Sequence, residues 1–161
     1  MKITLICIGK IKEQYWRDAI EEYAKRLSAY AELNITELPD EATKADSDAE
    51  IAAVLQKEGQ RIREKLAALS PAPYKCALCI DGKAYDSVGL SEHVSALMSR
   101  GKSHLVFIIG GSYGIAPELV RECDERLSFS KLTFPHQMMR VIFLEQLYRC
   151  FKIMKNEPYH K

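Results

Sequence analysis

Three places in this sequence combine residue types that can do chemistry. The first is the apolar run Leu105-Val106-Phe107-Ile108-Ile109, followed at once by Gly110-Gly111-Ser112-Tyr113-Gly114. Glycines at the end of such a run let a ligand approach the backbone closely. The second is Cys76 and Cys79, whose C-x-x-C spacing recurs in metal and redox sites. The third is the terminal trio Tyr159-His160-Lys161. It unites a ring able to stack on a base, a group titrating near neutrality and a cation for phosphate.

Two familiar readings of the glycine turn fail. A phosphate-cradling loop needs Gly-Lys-Ser/Thr at the helix start, and no such triplet follows Gly110. A dinucleotide fingerprint needs G-x-G-x-x-G with an acid about 20 residues on, where this chain has Phe134 and Pro135. The segment itself leaves two readings open: a strand-to-helix ligand site, or a tight connection that binds nothing. The cysteine pair lies in the strand-like run 74–80, where an offset of three sends side chains to opposite faces. No second C-x-x-C or histidine pair accompanies it, so buried packing is the expectation. Five scattered cysteines, an odd number, point to reduced thiols and a cytoplasmic protein.

The elements that must position these residues alternate in type. A strand is expected within residues 1–10, because its apolar run is short and lacks the cleavage site of a signal peptide. Trp16, Ile20, Tyr23, Leu27 and Tyr30 mark one face of a helix over 13–30. A second strand is read at 33–38 and a polar loop at 39–46. Ser47-Asp48-Ala49-Glu50 has the form of a capping box, opening a helix with the stripe Ile51, Leu55, Ile62, Leu66 and Leu69. The third strand, 74–80, runs into a turn at 81–83, and a short helix follows from Leu90 to Met98. The glycine-turn strand leads into a helix reaching to about Glu125, then a short strand at 127–130, a loop, and a last helix from His136 to Lys155.

Strands alternating with helices imply a single α/β domain over residues 1–161, with a mostly parallel sheet flanked by helices. With 47% hydrophobic and 28% charged residues, the composition is that of an ordinary soluble globular protein, and no stretch approaches a membrane span. Residues 131–161 carry six Lys/Arg against two Glu, a net +4 in a chain of net +1, so the remainder carries −3. A basic face there fits a polyanionic partner or a merely solvated helix. The last helix has two apolar stripes, one with Met138, Val141, Leu144, Tyr148 and Phe151, the other with Met139, Ile142, Phe143 and Cys150. That surplus predicts a homodimer seam.

Four segments taken together resemble one family. They are Ile109-Gly110-Gly111-Ser112-Tyr113-Gly114, the run from Leu127 to His136 with its Thr-Phe-Pro-His loop, Arg140-Val141 with Glu145-Gln146-Leu147-Tyr148-Arg149, and the ending Pro158-Tyr159-His160-Lys161. The chain resembles, from its first strand to its last residue, the bacterial SPOUT-class (α/β-knot) methyltransferases that modify large-subunit ribosomal RNA. The resemblance implies a C-terminal segment threaded into a trefoil knot, a homodimer, and S-adenosyl-L-methionine bound against three backbone loops. Carried over, those loops hold Leu78 and Ile80, then Gly110 and Gly111, then Phe129, Ser130, Lys131, Leu132, Thr133 and Phe134. The implied acceptor is N3 of a pseudouridine in 23S ribosomal RNA, within the ribosome or large subunit, with no metal.

Removing the N3 proton near neutral pH calls for a base or a nearby cation. His160, Tyr159 and His136 are the candidates, His160 first, with an RNA-contacting role for His160 left open. Arg140, Arg149 and Lys161 are assigned to the RNA. The resemblance implies an arginine in some relatives where this chain has Lys161; phosphate contact survives that change, and bidentate geometry does not. Two other readings are a ribosome-binding assembly factor of the same fold without turnover, and a knotted methyltransferase of transfer RNA.

Overall fold

In the computed structural model, which describes residues 1–43 and 47–161, five strands form one sheet. In chain order the elements are β1 (Lys2–Ile8), α1 (Gln14–Leu27), β2 (Glu32–Leu38), α2 (Asp48–Ala67), β3 (Tyr74–Ala84), α3 (Ser87–Ser99), β4 (His104–Ile109), α4 (Pro117–Arg121), β5 (Glu125–Ser128) and α5 (His136–Met154). The strands lie in the order β2-β1-β4-β3-β5, and every neighbouring pair is parallel. A strand covered on both faces has no polar side, which is why β1 and β4 read as continuous apolar runs. Both are buried over nearly their whole length, whereas edge strand β2 alternates between partly buried and exposed positions.

The two-residue period of the strands divides the core into two layers. Ile3, Leu5, Leu105, Phe107 and Ile109 meet α1, α3 and α5 on one face. Ile6, Ile8, Val106 and Ile108 meet Ile62 of α2 and Leu119 of α4 on the other. Phe143 of α5 packs on Phe107 with ring centroids 4.6 Å apart. Burying a side chain of that kind contributes about 1.5–3 kcal/mol. Ser47 starts α2 as expected: its Oγ accepts from the Glu50 N–H at 3.4 Å and donates to the Glu50 carboxylate at 2.8 Å. Asp86 caps α3 through the Gly89 N–H at 2.7 Å, so that helix begins three residues before the expected Leu90.

Several boundaries differ from the sequence reading. The third strand does not end at residue 80; it loops out and rejoins β5, so β3 runs to Ala84. α4 spans five residues instead of reaching Glu125, because β5 already starts there. In α2 the deepest positions are Val54, Glu58, Gly59 and Ile62, with Leu55 and Leu66 at the margin. The buried side of α5 comprises Arg140, Phe143, Leu144, Leu147, Cys150 and Phe151, while Met138, Val141 and Ile142 are only partly covered. The last three residues of the loop read at 39–46 lie outside the described residues.

Candidate active site

At the carboxyl ends of β3, β4 and β5, three backbone segments enclose a pocket of about 720 Å³. The first is the excursion of β3. Leu127 pairs with Leu78 and again with Lys83, so residues 79–82 leave the sheet and return. The Ser128 hydroxyl donates to the Ile80 carbonyl at 2.9 Å, and Arg126 reaches Asp81 at 3.0 Å, which ties the loop to β5. The second segment is the glycine turn, closed by the Gly114 N–H donating to the Gly111 carbonyl at 3.0 Å. A Cβ at Gly110 would overlap the Gly114 carbonyl, so this turn demands glycine before any ligand does. The third is the connection from β5 to α5, where the Leu132 N–H donates to the Ser130 Oγ at 2.9 Å.

Nine of the residues expected at a cofactor site line this one pocket: Leu78, Ile80, Gly110, Gly111, Phe129, Ser130, Leu132, Thr133 and Phe134. Lys131 does not line it; its side chain stands exposed beside the wall. Cys79, Ile109, Ser112, Tyr113, Gly114, Leu127, Pro135, His136 and Met139 complete the lining and are not among the residues assigned to the cofactor. Their signal was adjacency to the named loops. Burial pushes the Cys79 thiol above its ordinary range, so it serves as a neutral wall. Cys76 is buried in the core and its thiol is likewise raised by burial. Among the described residues no cluster of His, Cys, Asp and Glu could hold a metal ion, and no helix is long and apolar enough to cross a membrane.

His136 opens α5 and lines the pocket. Burial, then the charge of Arg140, lowers the pKa of its ring, which therefore stands neutral at pH 7. Arg140 itself corrects an expectation. Its side chain has no solvent exposure; it donates to the Ile8 and Gly9 carbonyls at 2.8 Å each and pairs with Glu37 at 2.7 Å. With both Nη atoms held by the end of β1 and by β2 and no part of the side chain exposed, it has no face to offer a phosphate. Arg140 is a strut that fixes the start of α5 against the sheet.

The terminal residues lie elsewhere. Tyr159 packs edge-on against Tyr148 at 4.9 Å and donates its hydroxyl to Glu145 at 3.0 Å. Burial first, then the bonds to Tyr23 and Glu145, raise its pKa, so it is not a base at neutral pH. Arg149 pairs with Glu145 at 2.5 Å, lies over the Tyr159 ring at 4.7 Å, and approaches His160 Nδ1 at 3.4 Å. His160 and Lys161 are exposed. Arg149 stands thirteen residues after His136 on α5, about 20 Å along the axis at 1.5 Å per residue. Glu157 accepts from Tyr30, which sits just before β2, so the tail lies toward the amino end of the sheet. Within one chain the structure does not bring Tyr159, His160, Arg149 or Lys161 to the pocket.

A parallel α/β sheet with a loop-walled pocket at its carboxyl end is the form of a ligand-binding α/β enzyme. Comparison with known families is specific: the model described as "Predicted SPOUT methyltransferase" matches residues 1–160. The chain belongs to the SPOUT methyltransferase family and is a methyltransferase. Among solved structures it is similar in fold to a methylase family protein from Haemophilus influenzae Rd KW20. That pair has a TM-score of 0.54 and 13% identity, covering 99% of this chain and 70% of the other. It is also similar to a methylase family protein from Neisseria gonorrhoeae, with a TM-score of 0.51 and 13% identity, covering 99% and 85%.

Proposed function

We propose that the chain uses S-adenosyl-L-methionine to methylate N3 of a pseudouridine in 23S ribosomal RNA, within the ribosome or large subunit, in the manner of the RlmH group. The observation that carries the reading is the coincidence of one pocket with the three loops assigned to the cofactor, in a chain of this family. Its volume lies in the range of about 300–1,000 Å³ ordinary for such ligands. Apolar walls from Leu78, Ile80, Leu132 and Phe134 suit a flat adenine, and the bare backbone at 110–114 suits its polar edge. When bound, the cofactor supplies an electrophilic methyl group.

The chain's own residues must align the acceptor and accept a proton from N3. Alignment alone is worth many orders of magnitude in such transfers. His160 is exposed and adjoins Arg149, which stands 3.4 Å from its Nδ1, and the imidazole is the group proposed to take the N3 proton. Arg149 and Lys161 provide cations for the RNA backbone. Because the tail sits about 20 Å from its own pocket along α5, it acts at the pocket of a second copy. An isologous pairing across the partly covered Val141 and Ile142, with the two α5 helices antiparallel, sets each tail beside the partner's His136 end. That homodimer, and the knot implied by the family, belong to the same proposal.

The test offers labelled S-adenosyl-L-methionine with undermodified free RNA, large subunits or whole ribosomes, and maps the product by mass spectrometry. Label at N3 of one pseudouridine, from a particle acceptor, is the expected result. Cofactor binding with no incorporation into any acceptor would instead fit an assembly factor without turnover.

A further inference from the structure

A second opening lies beside the pocket, at the place where the sheet reverses its winding. β1 and β4 are parallel neighbours, yet the chain leaves β1 for α1 on one face and β4 for α4 on the other. In open α/β sheets the crevice at such a switch point is where ligands bind. Here it forms a cavity of about 180 Å³ between Ile8 at the end of β1, Gly111 after β4, Val54 and Glu58 of α2, Asp40 and His136. It shares Gly111, Ser112, Tyr113 and His136 with the large pocket, so the two spaces adjoin at the glycine turn.

Glu58 is the unexplained group. Its residue is 4% exposed, on the buried side of a helix whose neighbouring inward positions are apolar. Oε1 accepts from the Glu41 N–H at 3.0 Å, while Oε2 is sealed from solvent and has no donor. The carboxylate abuts the turn: a Cβ on Gly111 would stand 3.0 Å from Oε2. Among the described residues the nearby cations are committed, since Arg61 bonds Glu41 and the Pro39 carbonyl and Lys57 pairs with Glu41. Asp40 adds negative charge, and His136 is held neutral. Burying an unpaired carboxylate oxygen is costly, and among the described residues the cavity offers this one no positively charged donor.

We propose that this cavity is a subsite for a primary ammonium, and that it receives the α-ammonium at the methionine end of S-adenosyl-L-methionine, with Glu58 as acceptor. The inference rests on the cofactor reading above. The cavity is too small for a nucleoside and the right scale for an amino-acid end, while the larger, apolar pocket takes the adenosine. Burial also raises the Glu58 carboxyl above the usual range, and an arriving cation would favour its ionised form.

Titration calorimetry on the full chain with two ligands separates the outcomes. S-adenosylhomocysteine carries the amino-acid end; 5′-methylthioadenosine shares the nucleoside and thioether and lacks that end. Glu58→Gln is expected to weaken S-adenosylhomocysteine by about 10- to 100-fold, the scale of one hydrogen bond to a charged group, and to leave methylthioadenosine unchanged. Circular dichroism confirms the fold, and Glu58→Asp, which keeps the charge on a shorter arm, should lose less. Equal weakening of both ligands, or of neither, would overturn the subsite. Wild-type protein that binds neither nucleoside would overturn the cofactor reading together with it.

Discussion

The pocket at the carboxyl end of the sheet and the cluster at the far end of α5 are built from different materials. The pocket is backbone and apolar side chain: a glycine turn, a looped-out strand and a Thr-Phe-Pro-His connection, braced by hydroxyls and by the buried Arg140. The tail is an ionic and aromatic cluster in which Glu145 gathers Arg149 and Tyr159, and the ring of Tyr159 leans on Tyr148. One region shapes a cavity and the other presents charge. On the proposed reading the first kind binds the small molecule, and the second holds a large polyanion and takes a proton. Separation along one helix means that neither completes the other within a single chain.

Breaking the pocket should have the largest effect. Gly110→Val forces side-chain atoms into the Gly114 carbonyl, so S-adenosylhomocysteine binding should fall below detection by calorimetry. Wild-type affinity in that variant would remove the turn from the site. Breaking the tail should spare binding and strike turnover. Deleting residues 159–161 should lower methylation at least about 100-fold while cofactor affinity and sedimentation stay unchanged. Full activity in the truncated chain would strip the tail of its role.

Arg140→Ala sharpens the contrast between two cations of α5. It should destabilise the fold by roughly 3 kcal/mol in denaturant titrations, since Glu37 and two strand-end carbonyls lose their donor. Arg149→Ala should leave stability nearly intact and weaken RNA binding. The opposite pattern would return Arg140 to the RNA. The smallest effect concerns His136, whose folded pKa is lowered. The unfolded chain takes up that proton first, so the stability tied to the neutral ring is complete above about pH 6.5 and is lost as pH falls. His136→Gln should therefore flatten the decline in melting temperature on the acid side, and an unchanged slope would show the ring is not the titrating group.

Much of the frame was legible because it is local. Continuous apolar runs marked β1 and β4, helical spacing marked α1, and the Ser47 capping box marked the start of α2. What stayed hidden depends on contacts between distant segments. Arg140 looks like any cation in a helix until the carbonyl of Ile8, 132 residues away, closes on it. Phe143, taken for a seam residue, is core against Phe107. Glu58 sits in the polar-looking run Lys57-Glu58-Gly59-Gln60, and only the fold turns it inward against the glycine turn. Asp81-Gly82 does bear the marks of a turn, but nothing local says that the chain will return to the same strand partner. The pocket loops were read from family likeness, and their convergence on one cavity is a property of the parallel sheet.

A mixed dimer tests most directly whether the two regions meet only across chains. A Gly110→Val chain keeps its tail and loses its pocket; a chain lacking residues 159–161 keeps its pocket and loses its tail. Co-expressed with different tags and purified as the mixed pair, they should recover methylation of large-subunit RNA that neither parent shows alone. A mixed pair that forms, binds the cofactor in its intact pocket and remains inert would contradict a site completed by the partner's tail.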